Sequence, residues 1–158
     1  MDVKQDYYRD GTLRHERRYE NGEPCGLWRG WNDDGTLAYE RRYERGQRHG
    51  FWRGYYDDGT LNYEDHYDHG TLHGTWRGWY PDGTLRYKHH YDHGDRHGTW
   101  LDRYPNGTLR YERHYEHGKP HGIWREWHED GTLVHEQCYD EDGMLAYERS
   151  YDNGEGVE

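Results

Sequence analysis

Aliphatic side chains are scarce: 158 residues include only 10 Leu, 3 Val, 1 Ile and 1 Phe. With a formal net charge of −11, that is the composition of a chain with too little apolar surface to fold. Long apolar runs are missing too, and no stretch of about 18 such residues could cross a bilayer as a helix. The opening residues Met1-Asp2-Val3-Lys4-Gln5-Asp6 lack the basic and apolar regions of a secretory leader, so a cytoplasmic location is expected. Cys25 and Cys138 are the only cysteines, too few for a disulfide scaffold. There is no basic excess, with 21 Lys and Arg against 32 Asp and Glu, so phosphate-rich surfaces are repelled. Neither nucleic acid nor membrane is the expected partner.

What the chain does have is aromatic and periodic. There are 18 Tyr and 8 Trp, and Asp/Asn-Gly-Thr-Leu recurs from Asp10, Asp34, Asp58, Asp82, Asn106 and Asp130, a spacing of 24 residues each time. A 24-residue unit suits a β-hairpin, whereas helical repeats need about 33 or more residues. The reading is one repeat domain over 1–158: a partial unit 1–21, hairpin repeats 22–45, 46–69, 70–93, 94–117 and 118–141, and a half-repeat cap 142–158. The expected fold is all-β, an antiparallel meander of about 13 strands. At ~4.8 Å per strand it extends ~60 Å if flat, as a twisted single layer or a sheet that curls on itself.

Within each unit Leu-x-Tyr-x-x-x-Tyr alternates with period two, for example Leu61, Tyr63 and Tyr67. Tyr80-Pro81-Asp82-Gly83-Thr84 places Pro and Gly where a type I turn with a G1 bulge requires them. That three-residue loop pairs Trp31 with Leu37, Arg29 with Tyr39 and Leu27 with Arg41, and so predicts cation–π contacts of Arg29, Arg53 and Arg77 with Tyr39, Tyr63 and Tyr87. A two-residue loop would instead pair Arg29 with Glu40 and lay Tyr39 over Gly30, exchanging the faces. Pro81 favours the first register, because it cannot donate the hydrogen bond that the shorter loop needs.

The candidate binding residues are these columns: Trp28, Trp52, Trp76, Trp100 and Trp124; Tyr39, Tyr63, Tyr87 and Tyr111; and Arg29, Arg53 and Arg77. Mutual cross-strand packing accounts for most of the rings, and stacking on sugars is a lesser alternative. Fourteen histidines include three triads, His66, His69, His73; His90, His93, His97; and His114, His117, His121, whose spacing could gather imidazoles for Zn²⁺, Ni²⁺ or Cu²⁺. The competing reading is that they are polar turn and rim positions, since Cys25 stands where His49 stands one unit on. Protonating all 14 would move the charge from −11 to +3, so association should change below about pH 6.

No cofactor is expected, and no enzyme: catalysis needs one asymmetric site, and every acid and base here recurs with the repeat. Cys25 and Cys138, about nine strand steps or ~43 Å apart in a flat sheet, should be free thiols. Asn106-Gly107-Thr108 matches a glycosylation sequon but coincides with the turn signal.

Tyr67-Asp68-His69-Gly70-Thr71-Leu72-His73-Gly74-Thr75-Trp76 and Tyr115-Glu116-His117-Gly118-Lys119-Pro120-His121-Gly122-Ile123-Trp124, each followed by aromatic-x-Asp-Gly-Thr-Leu, resemble the MORN-repeat variant of bacteria. The resemblance runs from about Tyr7 to Tyr151. It implies a hairpin array without catalytic residues, of a kind often assigned to antitoxin or immunity proteins. Trp76 and its equivalents stand where the ordinary MORN pattern has Gly, a departure that weighs against the lipid binding linked to some eukaryotic relatives. The expected function is a protein-binding repeat whose acidic surface occludes a basic bacterial toxin domain. The alternative is a structural or self-assembling repeat, natural or designed, associating through open sheet edges.

Overall fold

The structure, a computed structural model, describes residues 1–152 and 155–157; of the expected cap 142–158, residues 153, 154 and 158 lie outside the described residues. The chain divides into two compact units, Met1–Gly74 and Thr75–Glu158. Both are all-β and antiparallel, and both follow the 24-residue repeat.

Unit 1 holds β1 (Asp2–Tyr7), β2 (Leu13–Glu20), β3 (Glu23–Pro24), β4 (Gly26–Trp31), β5 (Leu37–Glu44), β6 (Gln47–Tyr55), β7 (Leu61–Asp68) and β8 (Thr71–Leu72). Successive strands of the meander pair, with β2 pairing both β3 and β4. The boundary falls at the start of β9 (Gly74–Trp79). The rest of unit 2 is β10 (Leu85–Asp92), β11 (Asp95–Arg96), β12 (Gly98–Arg103), β13 (Leu109–Glu116), β14 (Lys119–Pro120), β15 (Gly122–Trp127), β16 (Leu133–Tyr139), β17 (Leu145–Asp152) and β18 (Glu155–Val157). It is a meander of the same kind.

The two-residue strands are leading pieces of strands that a bulge interrupts. In β3/β4 the Cys25 N–H reaches back 2.9 Å to the Arg18 carbonyl, and in β14/β15 the His121 N–H does the same to His114. The following residue, Gly26 or Gly122, sits at positive φ, where a side chain would be strained. In β6 the equivalent stretch stays continuous through Gly50.

Two kinds of turn alternate. Asn32–Gly35 closes with the Gly35 N–H on the Asn32 carbonyl at 3.0 Å and the Asn32 N–H on the Thr36 carbonyl at 2.9 Å, with Gly35 at φ 85°. This is the expected three-residue loop with its G1 bulge, repeated from Tyr8, Tyr56, Tyr80, Tyr104 and His128. The other ends of the strands meet in two-residue loops with both residues at positive φ, such as Asn21-Gly22 (51°, 84°) and His69-Gly70 (44°, 87°), the type I′ signature. These tight turns are bonded repeat to repeat: Gly46 N–H donates to Pro24 O at 2.9 Å and Gly70 N–H to Arg48 O at 2.7 Å.

The expected register holds for its first pair and then fails. Trp31 does pair with Leu37, but Ala38 bulges out, so that Gly30 faces Tyr39, Arg29 faces Glu40 and Trp28 faces Arg41. The same shift occurs between Gly54 and Tyr55 in β6. The chain thus combines the three-residue loop with the pairing of the two-residue one. In this register Tyr39, Tyr63 and Tyr87 lie flat on Gly30, Gly54 and Gly78, where an added Cβ would fall inside the ring. The same shift recurs where Tyr111 faces Asp102 and His135 faces Glu126, so the bulge belongs to the turn, next to which sheets tolerate one, and the glycines make room for the rings.

Candidate functional site

Side chains alternate across each strand, so the corrected register assigns the candidate residues to faces. On one face of unit 1 the rings of Tyr19, Trp28, Tyr43, Trp52 and Tyr67 form a line with successive centroids 5.1, 4.6, 5.2 and 5.3 Å apart. In unit 2 the line is Trp76, Tyr91, Trp100, Tyr115, Trp124 and Tyr139, at 4.7–5.2 Å. The rings are tilted rather than stacked, the geometry that ring quadrupoles favour. Trp52, Tyr67, Trp100 and Tyr115 are buried, so the tryptophan columns supply core.

The indole N–H groups of four ring-line tryptophans are satisfied locally. Trp28 donates to Arg18 O, Trp52 to Arg42 O, Trp100 to His90 O and Trp124 to His114 O, all at 2.8–2.9 Å. The acceptor lies ten residues earlier each time, at the bulge before the tryptophan. In β4 and β15 one side chain thus covers the break in its own strand.

Between tryptophans, directly cross-strand, runs a polar column. Arg41 pairs with Trp28 and Trp52, and its guanidinium lies over the rings of Tyr39 (4.2 Å) and Trp52 (5.0 Å). In unit 2, Arg113 lies over Tyr111 and Trp124, while His89 stacks on Trp100 at 4.1 Å. Asp65 breaks the pattern, an acid facing Trp52. Burial, then the neighbouring Glu64 charge, pushes its carboxyl up to about 7. Its Oδ1 is out of solvent and makes no hydrogen bond.

The expected contacts of Arg29 with Tyr39 and Arg53 with Tyr63 do not form, because these arginines point to the opposite face. There Glu16, Arg29, Glu40, Arg53 and Glu64 follow one another across unit 1, with Arg29 Nε to Glu40 at 2.9 Å and Arg53 Nε to Glu64 at 2.8 Å. By alternation Arg77, next to Trp76, shares that facing. Unit 2 repeats the ladder as Glu112, Arg125, Glu136 and Arg149. Burial raises the Glu136 carboxyl, but hydrogen bonds from Arg125 (2.9 Å) and Tyr147 (3.1 Å) outweigh it and hold the group below the usual range. The candidate arginines and aromatics therefore lie on different faces. Tyr111 has no glycine beneath it, its cross-strand partners being Asp102 and Glu126.

The strand ends differ as strongly as the faces. At the bulged turns Asp34 Oδ1 accepts from the Thr36 N–H (2.8 Å) and hydroxyl (2.6 Å), and Asp58 does the same with Thr60. Those bonds hold both carboxyls, and likewise Asp10, Asp82 and Asp130, below the usual range. With the exposed Asp33 and Asp57, the three bulged turns of unit 1 carry five carboxylates. In unit 2, Asn106 occupies such a position and spends its side-chain amide on Thr108 N–H and Glu129 O, an engaged turn residue at the sequon.

At the tight turns the histidines group differently from the expected triads. His66 and His73 face each other with centroids 5.8 Å apart, but His69 lies against His49, 4.7 Å away, with Glu44 and Asp68 beside them. In unit 2, His90 neighbours His97, and His97 neighbours His117. Triad members sit on a strand and on a turn tip, so they face different neighbours. His69 sits at a left-handed turn tip, one of the turn positions the competing reading expected, and the sequence reading missed its neighbours His49 and Glu44. Cys25 and Cys138 are both free thiols, as expected.

Tandem hairpins that repeat the ring line and the bulged turn, with an Arg–Glu ladder interrupted where Lys88 faces Leu101, define a β-hairpin repeat protein. A model of the MORN repeat variant matches residues 48–69, 72–93, 96–117, 120–140 and 134–153, and the chain belongs to that family. No curated protein matches the chain.

Proposed function

We propose that this protein is a non-enzymatic binding module that docks a basic protein domain along the carboxylates of its bulged turns. The observation that carries the reading is the local acidic row on unit 1, where Asp10, Asp34 and Asp58 are held ionised by their own threonines, with Asp33 and Asp57 beside them. Their side-chain oxygens are fixed by the turn rather than swinging freely, which reduces the ordering cost of binding. A row of fixed charges steers an oppositely charged partner and sets its orientation. Resemblance to bacterial members of the family makes the partner a basic toxin domain, inhibited by steric and electrostatic occlusion.

The test is calorimetry against any basic toxin domain encoded beside this gene, at low and high salt. Saturable binding that weakens with salt, and about tenfold or more in the Asp34→Asn/Asp58→Asn double variant, is expected. No binding, or binding indifferent to both salt and the two substitutions, overturns it.

A further inference from the structure

We infer that Glu44, His49 and His69 form a binding site for a divalent metal ion of the zinc class, with Asp68 orienting both imidazoles. The three residues come from two successive repeats: Glu44 ends β5, His49 lies in β6, and His69 is the first residue of the tight turn after β7. One ligand atom from each lies within 4.8 Å of the others, so a modest side-chain movement brings all three onto one ion. Two imidazole nitrogens and a carboxylate oxygen are the donors that Zn²⁺ accepts, and the imidazoles argue against Mg²⁺ or Ca²⁺.

The hydrogen-bond arrangement points the same way. Asp68 Oδ1 is 2.6 Å from His69 Nδ1 and 3.3 Å from His49 Nδ1. A carboxylate that engages Nδ1 leaves Nε2 as the lone-pair nitrogen, the arrangement in which metal-binding histidines are usually held. His49 Nε2 is 3.3 Å from Glu44 Oε2, on the side where an ion would sit. His49 Nδ1 is out of solvent and makes no hydrogen bond, although it lies near the Asp68 oxygen. Closing that gap would give the buried nitrogen a partner as the ring turns to the ion. Part of the pattern recurs in unit 2, where His97 has the same unpartnered Nδ1 and its ring lies 5.9 Å from that of His117.

A bound ion would clip the tip of one hairpin to the preceding repeat, where Gly70 N–H already donates to Arg48 O. Three protein ligands leave a fourth position for water. The site is independent of the acidic row, which lies at the other ends of the strands.

The experiment titrates Zn²⁺ alone into the full chain at neutral pH by calorimetry, and Co²⁺ by visible absorption, for wild type and for the double variant His49→Gln/His69→Asn. Asn21 occupies the position equivalent to His69, so asparagine is compatible with the left-handed turn, and thermal melting followed by circular dichroism checks the fold. His15→Gln, a histidine of unit 1 outside the cluster, is the control. Expected results are loss of one equivalent of Zn²⁺, or at least a tenfold weaker affinity, together with loss of tetrahedral Co²⁺ bands in the double variant. The control should be unchanged, and Zn²⁺ should raise the wild-type melting temperature by several degrees. Absence of binding to wild type, equal stoichiometry and affinity in wild type and double variant, or an equal loss in His15→Gln overturns the site.

Discussion

The two faces of each unit carry the same period and opposite chemistry. One face alternates indoles with phenols, with cations laid on the rings; the other alternates arginine with glutamate, as in Glu16, Arg29, Glu40, Arg53 and Glu64. Burial on the first comes from large rings that lose water on tilting together, and four of its indole N–H groups are satisfied by backbone, as that of Trp52 is by Arg42 O. The second keeps its arginines about 35–40% exposed over largely covered glutamates, and ion pairs with a solvated partner contribute only about 0–1 kcal/mol each. The difference locates stability on the ring face and leaves the ladder as a row of charge pairs that only the observed register brings together.

Breaking the ring face should have the largest effect. Trp52→Ala removes a buried ring between Tyr43 and Tyr67 and strips the Arg42 carbonyl of one donor, an expected loss of about 3–5 kcal/mol in urea unfolding. Gly54→Ala sets a methyl group into the Tyr63 ring and should cost about 2 kcal/mol, recovered in part by Tyr63→Ala in the same background.

Asp65 offers a gain on that face. Its carboxyl is raised to about 7 by burial and Glu64, so the folded chain holds a proton that the unfolded chain releases near the ordinary carboxylate range. Its contribution is therefore full at low pH and is lost as pH rises through about 4 to 7. Asp65→Asn should leave stability at pH 4 unchanged and raise it at pH 8 by about 1 kcal/mol, a figure reduced for solvent screening. Melting curves at the two pH values check this, and an equal shift at both would contradict it.

The smallest effect belongs to the ladder. A double-mutant cycle of Arg53→Ala and Glu64→Ala should return a coupling of about 0.5 kcal/mol that shrinks with added salt. A coupling above about 2 kcal/mol would erase the contrast between the faces.

Much of this architecture was legible in the repeat itself. Pro81 and Gly83 identified the bulged turn, and the 24-residue spacing identified the hairpin and its family. Register was the part that failed, because it depends on one extra residue at Ala38, a bulge that shows only in the cross-strand pairing, where Tyr39 comes to lie on Gly30. The contrast between the faces was hidden for the same reason, since a one-residue slip moves Arg29 from Tyr39 to Glu40. Histidine spacing along the chain likewise suggested the wrong partners: His69 meets His49 only because adjacent tight turns stack.

The ladder has a mechanical consequence. In unit 1 the ladder pairing joins strands that follow one another in the meander, with β3 and β4 as one interrupted strand, and antiparallel bonds run perpendicular to the strands. A pull that separates the first strand of unit 1 from the last loads those bonds along their own direction, a few at a time. The unit should part like a zipper under a small steady force rather than shear at one large peak. Each released repeat should lengthen the tether by about 80 Å, the reach of its 24 residues when extended.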